Sequence, residues 1–297
     1  MTKDTQSSMH NESPPGEQPS SQKGNKRNWP TDPFKDFFED SEVVEEVTHN
    51  GETERRRGIY LLPNLFTTGA LFAGFFAVVS AVKGDFSTAA IAIFVSMVLD
   101  GCDGRVARMT NTQSAFGAEY DSLADMLSFA VAPAVLAFSW SLHSLGKFGW
   151  ICAFVFVAGG ALRLARFNVQ LAQTDKKWFV GLPSPSAAAI VASCVWSFHN
   201  FEVHSQMLDF LIGILVALGG ILMVSNIRYY SFKEVGFRGR VPFVALLVVV
   251  LAFVVISIQP SVVLLILFGG YALSGMIVAL IRGTRLRAKQ RKRRERN

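Results

Sequence analysis

The stretch DGCDGRVARMTNTQSAFGAEYDSLAD, residues 100–125, sets four aspartates between two long apolar runs. A carboxylate inside a bilayer costs roughly 2.5–3.5 kcal/mol even on the most lenient insertion scales, so acids persist there only where something binds them. Four together point to a cation. Asp100 and Asp103 are three residues apart, Asp121 and Asp125 four apart, and each spacing puts its pair on one face of a helix. Two helices joined by a short loop bring such pairs face to face. Oxygen-only ligands of this kind suit one or two hard divalent cations, Mg²⁺ or Mn²⁺, and without a cation the four charges repel. Gly101, Gly104 and Gly117 leave backbone open to a ligand, and Arg108 is a fixed cation suited to a phosphate. Metal, arginine and open backbone together form an apparatus for holding a pyrophosphate during phosphoryl-type transfer.

Outward from this stretch the chain reads as a membrane protein. Half of its 297 residues are apolar, 25 of them Phe, more than an ordinary soluble domain carries. Eight segments approach the length of about 20 apolar residues needed to cross a bilayer. They lie near 60–82, 86–100, 115–142, 147–165, 184–199, 207–227, 241–258 and 261–281, the second and fifth being short. The expected fold is therefore all-α, a polytopic helical bundle of about eight spans. Residues 1–57 are polar and have no apolar run long enough for a signal peptide, which predicts a disordered cytoplasmic leader, with PFKDFFED within it read as a solvated segment and a short amphipathic turn on the membrane surface as the alternative. The catalytic unit is then 58–281, followed by a basic tail, 282–297.

Charge orients the bundle. With eight spans, 22 Lys and Arg fall on one face, the tail included, and only Lys83 and Lys147 on the other. The positive-inside rule places both termini and the aspartate cluster in the cytoplasm, in a multi-pass protein of the plasma (inner) membrane. The tail alone carries +8 of a net +6, leaving −2 for the rest. Next to a span, such a run reads as attraction to anionic membrane lipids and needs no nucleic acid to explain it. Cys102, Cys152 and Cys194 are too scattered for a disulfide framework or a metal site, and His199 and His204 share a polar loop without a ligand cluster.

Written out, Asp100, two residues, Asp103-Gly104, two residues, Ala107-Arg108, eight residues, Gly117, three residues, Asp121, three residues, Asp125 resembles, without a gap, the signature of the CDP-alcohol phosphatidyltransferases. The resemblance implies a membrane helical bundle, usually a homodimer, in which the first three aspartates bind metal. Asp125 would be associated with a second divalent ion and with deprotonating the attacking alcohol. Gly104, Ala107, Arg108 and Gly117 would line the CDP site. Asn64 and Thr67 form a polar face on the first span that is a second candidate contact for CDP, with helix capping as the alternative. The stretches PNLFTTGALFAGF, RLARFNVQ, GLPSPSAAA and SNIRYYSFKE resemble the branch of that family that makes phosphatidylserine, and the eight-span count leans the same way.

That branch implies transfer of the phosphatidyl group from CDP-diacylglycerol to the hydroxyl of L-serine, releasing CMP. Serine is a zwitterion, and Arg163, Arg166 and Asn168 are candidates for its pocket, with plain membrane-anchoring charges as the rival reading of the arginines. Two alternatives stay open at this point. One is the same chemistry on glycerol 3-phosphate or an inositol phosphate; the other is a divalent-cation transporter built on the four aspartates.

Overall fold

The computed structural model describes residues 44–49, 52–57, 61–109, 115–170, 178–230 and 243–294. The leader up to residue 43, including PFKDFFED, and the basic residues Lys176, Lys177, Lys233, Arg238 and Arg240 lie outside them.

Beyond residue 60 the described residues form a predominantly helical bundle. Its elements are α1 (Leu61–Val82), α2 (Phe86–Met109), α3 (Ala115–Asp125), α4 (Ala132–Trp140), α5 (Lys147–Gln170), α6 (Ser184–Asn200), α7 (Gln206–Val224), α8 (Phe243–Ile258) and α9 (Pro260–Arg294). A π-helical turn, Met126–Val131, joins α3 to α4, so these two make one pass, and the helices amount to the eight units expected. Among the described residues, six passes are long and apolar enough to cross a membrane unaided: α1, α2, α3 through α4, α5, α7 and the first part of α9. At 17 and 16 residues, α6 and α8 are shorter, about 25 Å at 1.5 Å per residue. This is a multi-pass membrane protein, and large side chains such as Phe72, Val98, Phe154 and Leu162 face outward, as lipid contact allows.

Several boundaries differ from the sequence reading. The second span does not stop at residue 100: α2 continues to Met109, so Asp100, Asp103 and Arg108 sit on one unbroken helix. The third is not a single α-helix. Pro133 has no N–H and its ring crowds the preceding turn. The ladder just before it widens, and the Ala132 N–H bonds to Leu127 O, five residues back. The tail is not separate from the last span either, because α9 runs 35 residues, about 52 Å, through to Arg294.

The expectation of a disordered leader is corrected at its end. Residues Val44–His49 and Glu52–Arg57 form an antiparallel hairpin, β1 and β2, whose register sets Glu45 opposite Arg56 and Glu46 opposite Arg55. The intervening dipeptide is Asn50-Gly51, the strongest short hairpin signal in a sequence. A second ribbon pairs β3 (Trp178–Val180) with β4 (Arg228–Tyr230).

Packing follows small residues. α1 lies along α2, α5 along α7, and α6 sits among α2, α4 and α9. At the α5–α7 crossing, a Cβ on Gly220 would lie 2.5 Å from Val155 O, so only glycine lets the backbones approach this closely. Phe129, Ile93, Leu136, Phe156 and Val195 fill the interior.

Candidate active site

The α1 start, the α2 end, the C-terminal half of α3 and the α5 end supply the site, with the first residue of α6. The aspartates meet as their spacing predicts. One carboxylate oxygen each from Asp100, Asp103 and Asp121 lies within 4.8 Å of the others. Asp125, one turn after Asp121, adjoins both Asp100 and Asp121. Asp103 is 5 % exposed. Asp121 Oδ1 is buried and has no hydrogen-bond partner, a costly condition that a cation would relieve. Carboxylates with no thiolate or imidazole among them fit a hard divalent ion.

Around the acids the structure assigns roles that spacing did not reveal. Thr67 Oγ1 donates to Asp103 Oδ2 at 2.9 Å, so its hydroxyl orients a candidate ligand. Thr68 on the next position donates to Asn64 O at 2.7 Å and meets the Tyr120 hydroxyl at 3.0 Å, tying α1 to α3. Asn64 lies beside this tie with its side-chain Nδ2 buried and unpartnered. A Cβ placed on Gly101 or Gly104 would touch nothing within 4 Å, so the backbone of α2 there opens onto free space. Ala107 is half-buried and Arg108 exposed on the same helix end; Gly117 is half-buried on α3.

The three candidates at the end of α5 separate in the structure. Arg163 donates to Ser184 Oγ at 2.6 Å and interacts electrostatically with Asp125, which brings it to the acid cluster. Arg166 is spent on the chain itself: its Nη atoms donate to Val180 O at 2.8 Å, Val224 O at 3.0 Å and Met223 O at 3.3 Å, with Asn226 Oδ1 at 3.3 Å. It thereby caps the C-terminal end of α7, whose last carbonyls have no partner within the helix. Asn168 donates to Ser122 Oγ at 3.1 Å and holds α5 against α3 next to Asp121. Ser184 went unnoticed in sequence, although it lies in the quoted GLPSPSAAA; a lone serine at a helix start reads as a cap. Here it receives the Arg163 hydrogen bond instead.

Comparison with known proteins agrees with this geometry. The CDP-alcohol phosphatidyltransferase family model matches residues 60–225. A CDP-diacylglycerol–serine O-phosphatidyltransferase of Helicobacter pylori (strain ATCC 700392 / 26695) is 39 % identical over 219 residues, covering 74 % of this chain and 91 % of that protein. A protein of the same name from Bacillus subtilis (strain 168) is 33 % identical over 177 residues, 58 % of this chain and 92 % of that one. A third, from Methanocaldococcus jannaschii, is 38 % identical over 142 residues, 48 % of this chain and 63 % of its own length.

Proposed function

Because the chain belongs to the CDP-alcohol phosphatidyltransferase family, we propose that it transfers the phosphatidyl group of CDP-diacylglycerol to the hydroxyl of L-serine, giving phosphatidylserine and CMP. The observation that carries this reading is the convergence of Asp100, Asp103 and Asp121, on the spacing of the family signature, at one end of a membrane bundle. The serine preference is supported by the names of the relatives. A transporter is disfavoured by the same convergence, since the acids gather at one membrane face and do not line a path through it.

The family uses divalent metal ions, and the acid cluster is where this chain would hold them, in our reading two Mg²⁺ or Mn²⁺ ions on Asp100, Asp103, Asp121 and Asp125. Bound there, the ions supply positive charge opposite the pyrophosphate and the leaving CMP. The chain's own residues do the rest. Thr67 fixes the Asp103 carboxylate, and the glycine-lined face of α2 admits the CDP moiety, with Asn64, Ala107, Arg108 and Gly117 around it. Arg163 offers a guanidinium to the serine carboxylate, while Arg166 and Asn168 hold the surrounding helices in place. Asp125 accepts the hydroxyl proton as the serine oxygen attacks the β-phosphorus in line. The acyl chains stay in the bilayer, and serine arrives from the cytoplasm.

A protein nucleophile is not needed: His143, His199 and His204 belong to the opposite end of the bundle, at the ends and loops of the helices remote from the acids. Direct, single displacement is the simpler course. We further propose a homodimer in the inner membrane, with both termini and the site cytoplasmic.

The test is CMP release from CDP-diacylglycerol by purified protein across a panel of acceptors. Serine is expected to stimulate release, and glycerol 3-phosphate and inositol phosphate are not. Stimulation by one of the phosphorylated acceptors in place of serine would assign the chain to another branch.

A further inference from the structure

Among the described residues of α3, which carries Asp121 and Asp125, only Ala124 is buried. Its ties to α1 and α5 are hydrogen bonds at its surface, from Tyr120 to Thr68 and between Ser122 and Asn168, so burial does little to fix its rotation about its own axis. The segment it runs into is held firmly, with Phe129, Ala130, Ala132, Leu136 and Ala137 buried. The direction in which the two acids point is therefore set where the segments join, at the π turn Met126–Val131, which begins at the residue after Asp125. Pro133 opens that turn, which takes in one residue more than an α-helical turn does. At 3.6 residues per turn, one residue is about 100° of rotation. Closing the turn into a regular α-helix would swing Asp121 and Asp125 off Asp100 and Asp103 by about that angle.

The π turn is also clamped from outside. Ser128 is 1 % exposed, and its Oγ donates to Ala70 O of α1 at 3.2 Å. Ser96 of α2, equally buried, donates to the same carbonyl at 2.8 Å. Ser96 lies four residues from Asp100, Ala70 three from Thr67 and Ser128 three from Asp125, so on each helix the clamp is about one turn from the group it serves. A side chain on Gly74 would collide with Ser128, and a Cβ on Gly160 would lie 2.6 Å from that of Ala130. Thus α1 and α5 close on the turn as well, and the three helices that carry the acids and Thr67 are locked together at this level.

We propose that the π turn is the register device of the metal site: Pro133 and Ser128 are positioning residues that turn Asp121 and Asp125 toward Asp100 and Asp103. This inference rests on the reading of the acids as a divalent-metal site. Mn²⁺ binding to the purified full-length protein in detergent, followed by electron paramagnetic resonance, tests it alongside the thermal midpoint of the metal-free protein. Pro133→Ala restores an N–H and removes the ring, so the helix can close its ladder. The Mn²⁺ dissociation constant is expected to rise about tenfold or more, while the metal-free midpoint holds or rises because alanine is the better helix former. Ser128→Ala leaves Ala70 O its bond from Ser96, and it is expected to weaken Mn²⁺ about threefold with the midpoint unchanged. CMP release by either variant is expected to need correspondingly more Mn²⁺, with the serine KM at saturating metal within about twofold of wild type. Wild-type Mn²⁺ affinity in Pro133→Ala overturns the inference. If that variant does not fold, Ser128→Ala decides: weaker binding at an unchanged midpoint supports the inference, and wild-type affinity, or a loss that comes only with a lowered midpoint, overturns it. A wild type that binds no Mn²⁺ overturns the metal reading itself, and this inference with it.

Discussion

Asp121 shows what single residues contribute and how far they can be read in advance. Its place in the ligand set follows from spacing, but the orphaned Oδ1 is visible only in three dimensions. Asp121→Asn keeps the shape and removes the charge. Activity is expected to fall by orders of magnitude while the thermal midpoint holds or rises, because one of four mutually repelling acids is gone. An inactive protein that has also lost its fold would contradict this. Thr67→Val, which deletes the bond to Asp103, is expected to cost about 10–100-fold in metal affinity or activity, the usual scale for a group behind a ligand. Arg163 and Arg166 look equivalent in sequence, three residues apart on one helix. Their partners divide them: one faces Asp125, the other closes the end of α7. Arg163→Ala is therefore expected to raise the serine KM selectively. Arg166→Ala is expected to lower the thermal midpoint and affect both substrates alike. Spacing cannot separate the two, since the carbonyls that claim Arg166 lie fourteen to fifty-eight residues away.

At the scale of elements, hydropathy was enough to find the helices, because a bilayer demands apolar runs of a set length. It was not enough to end them. Residues 101–109 carry two glycines and three charges, which reads as a loop, yet α2 continues because Asp103 gains a partner across α1. Nor did it disclose the π turn, which follows from one proline, or the α5–α7 crossing, where the glycines of GGALRLA and of α7 meet. Gly220→Val forces a side chain against the Val155 carbonyl. Overpacking of this kind costs about 1–3 kcal/mol or more. Lower folded yield and a lower melting temperature in detergent are the expected outcome, and a variant with wild-type stability would mean the helices are not this close.

For the molecule as a whole, the account joins topology to chemistry. The acids, Arg163, Ser184 and the α7 cap lie at one end of the bundle, which in the proposed orientation is the end where cytoplasmic serine is available. Cysteine labelling in intact cells is expected to find position 290 protected and positions 84, 145 and 203 accessible from outside; an accessible position 290 would contradict the eight-pass arrangement. Fold class and acid cluster were both legible in sequence because each repeats a simple constraint, the bilayer's thickness and a helix's period. The Arg163–Ser184 contact was not, since its two residues lie on different helices and carry no pattern of their own. The most direct single measurement follows labelled serine into lipid with purified protein and CDP-diacylglycerol, with CMP counted in the same mixture. The account predicts one CMP per serine incorporated, abolished by chelation and restored by Mg²⁺ or Mn²⁺. CMP release without serine in the lipid, or transfer indifferent to chelation, would contradict it.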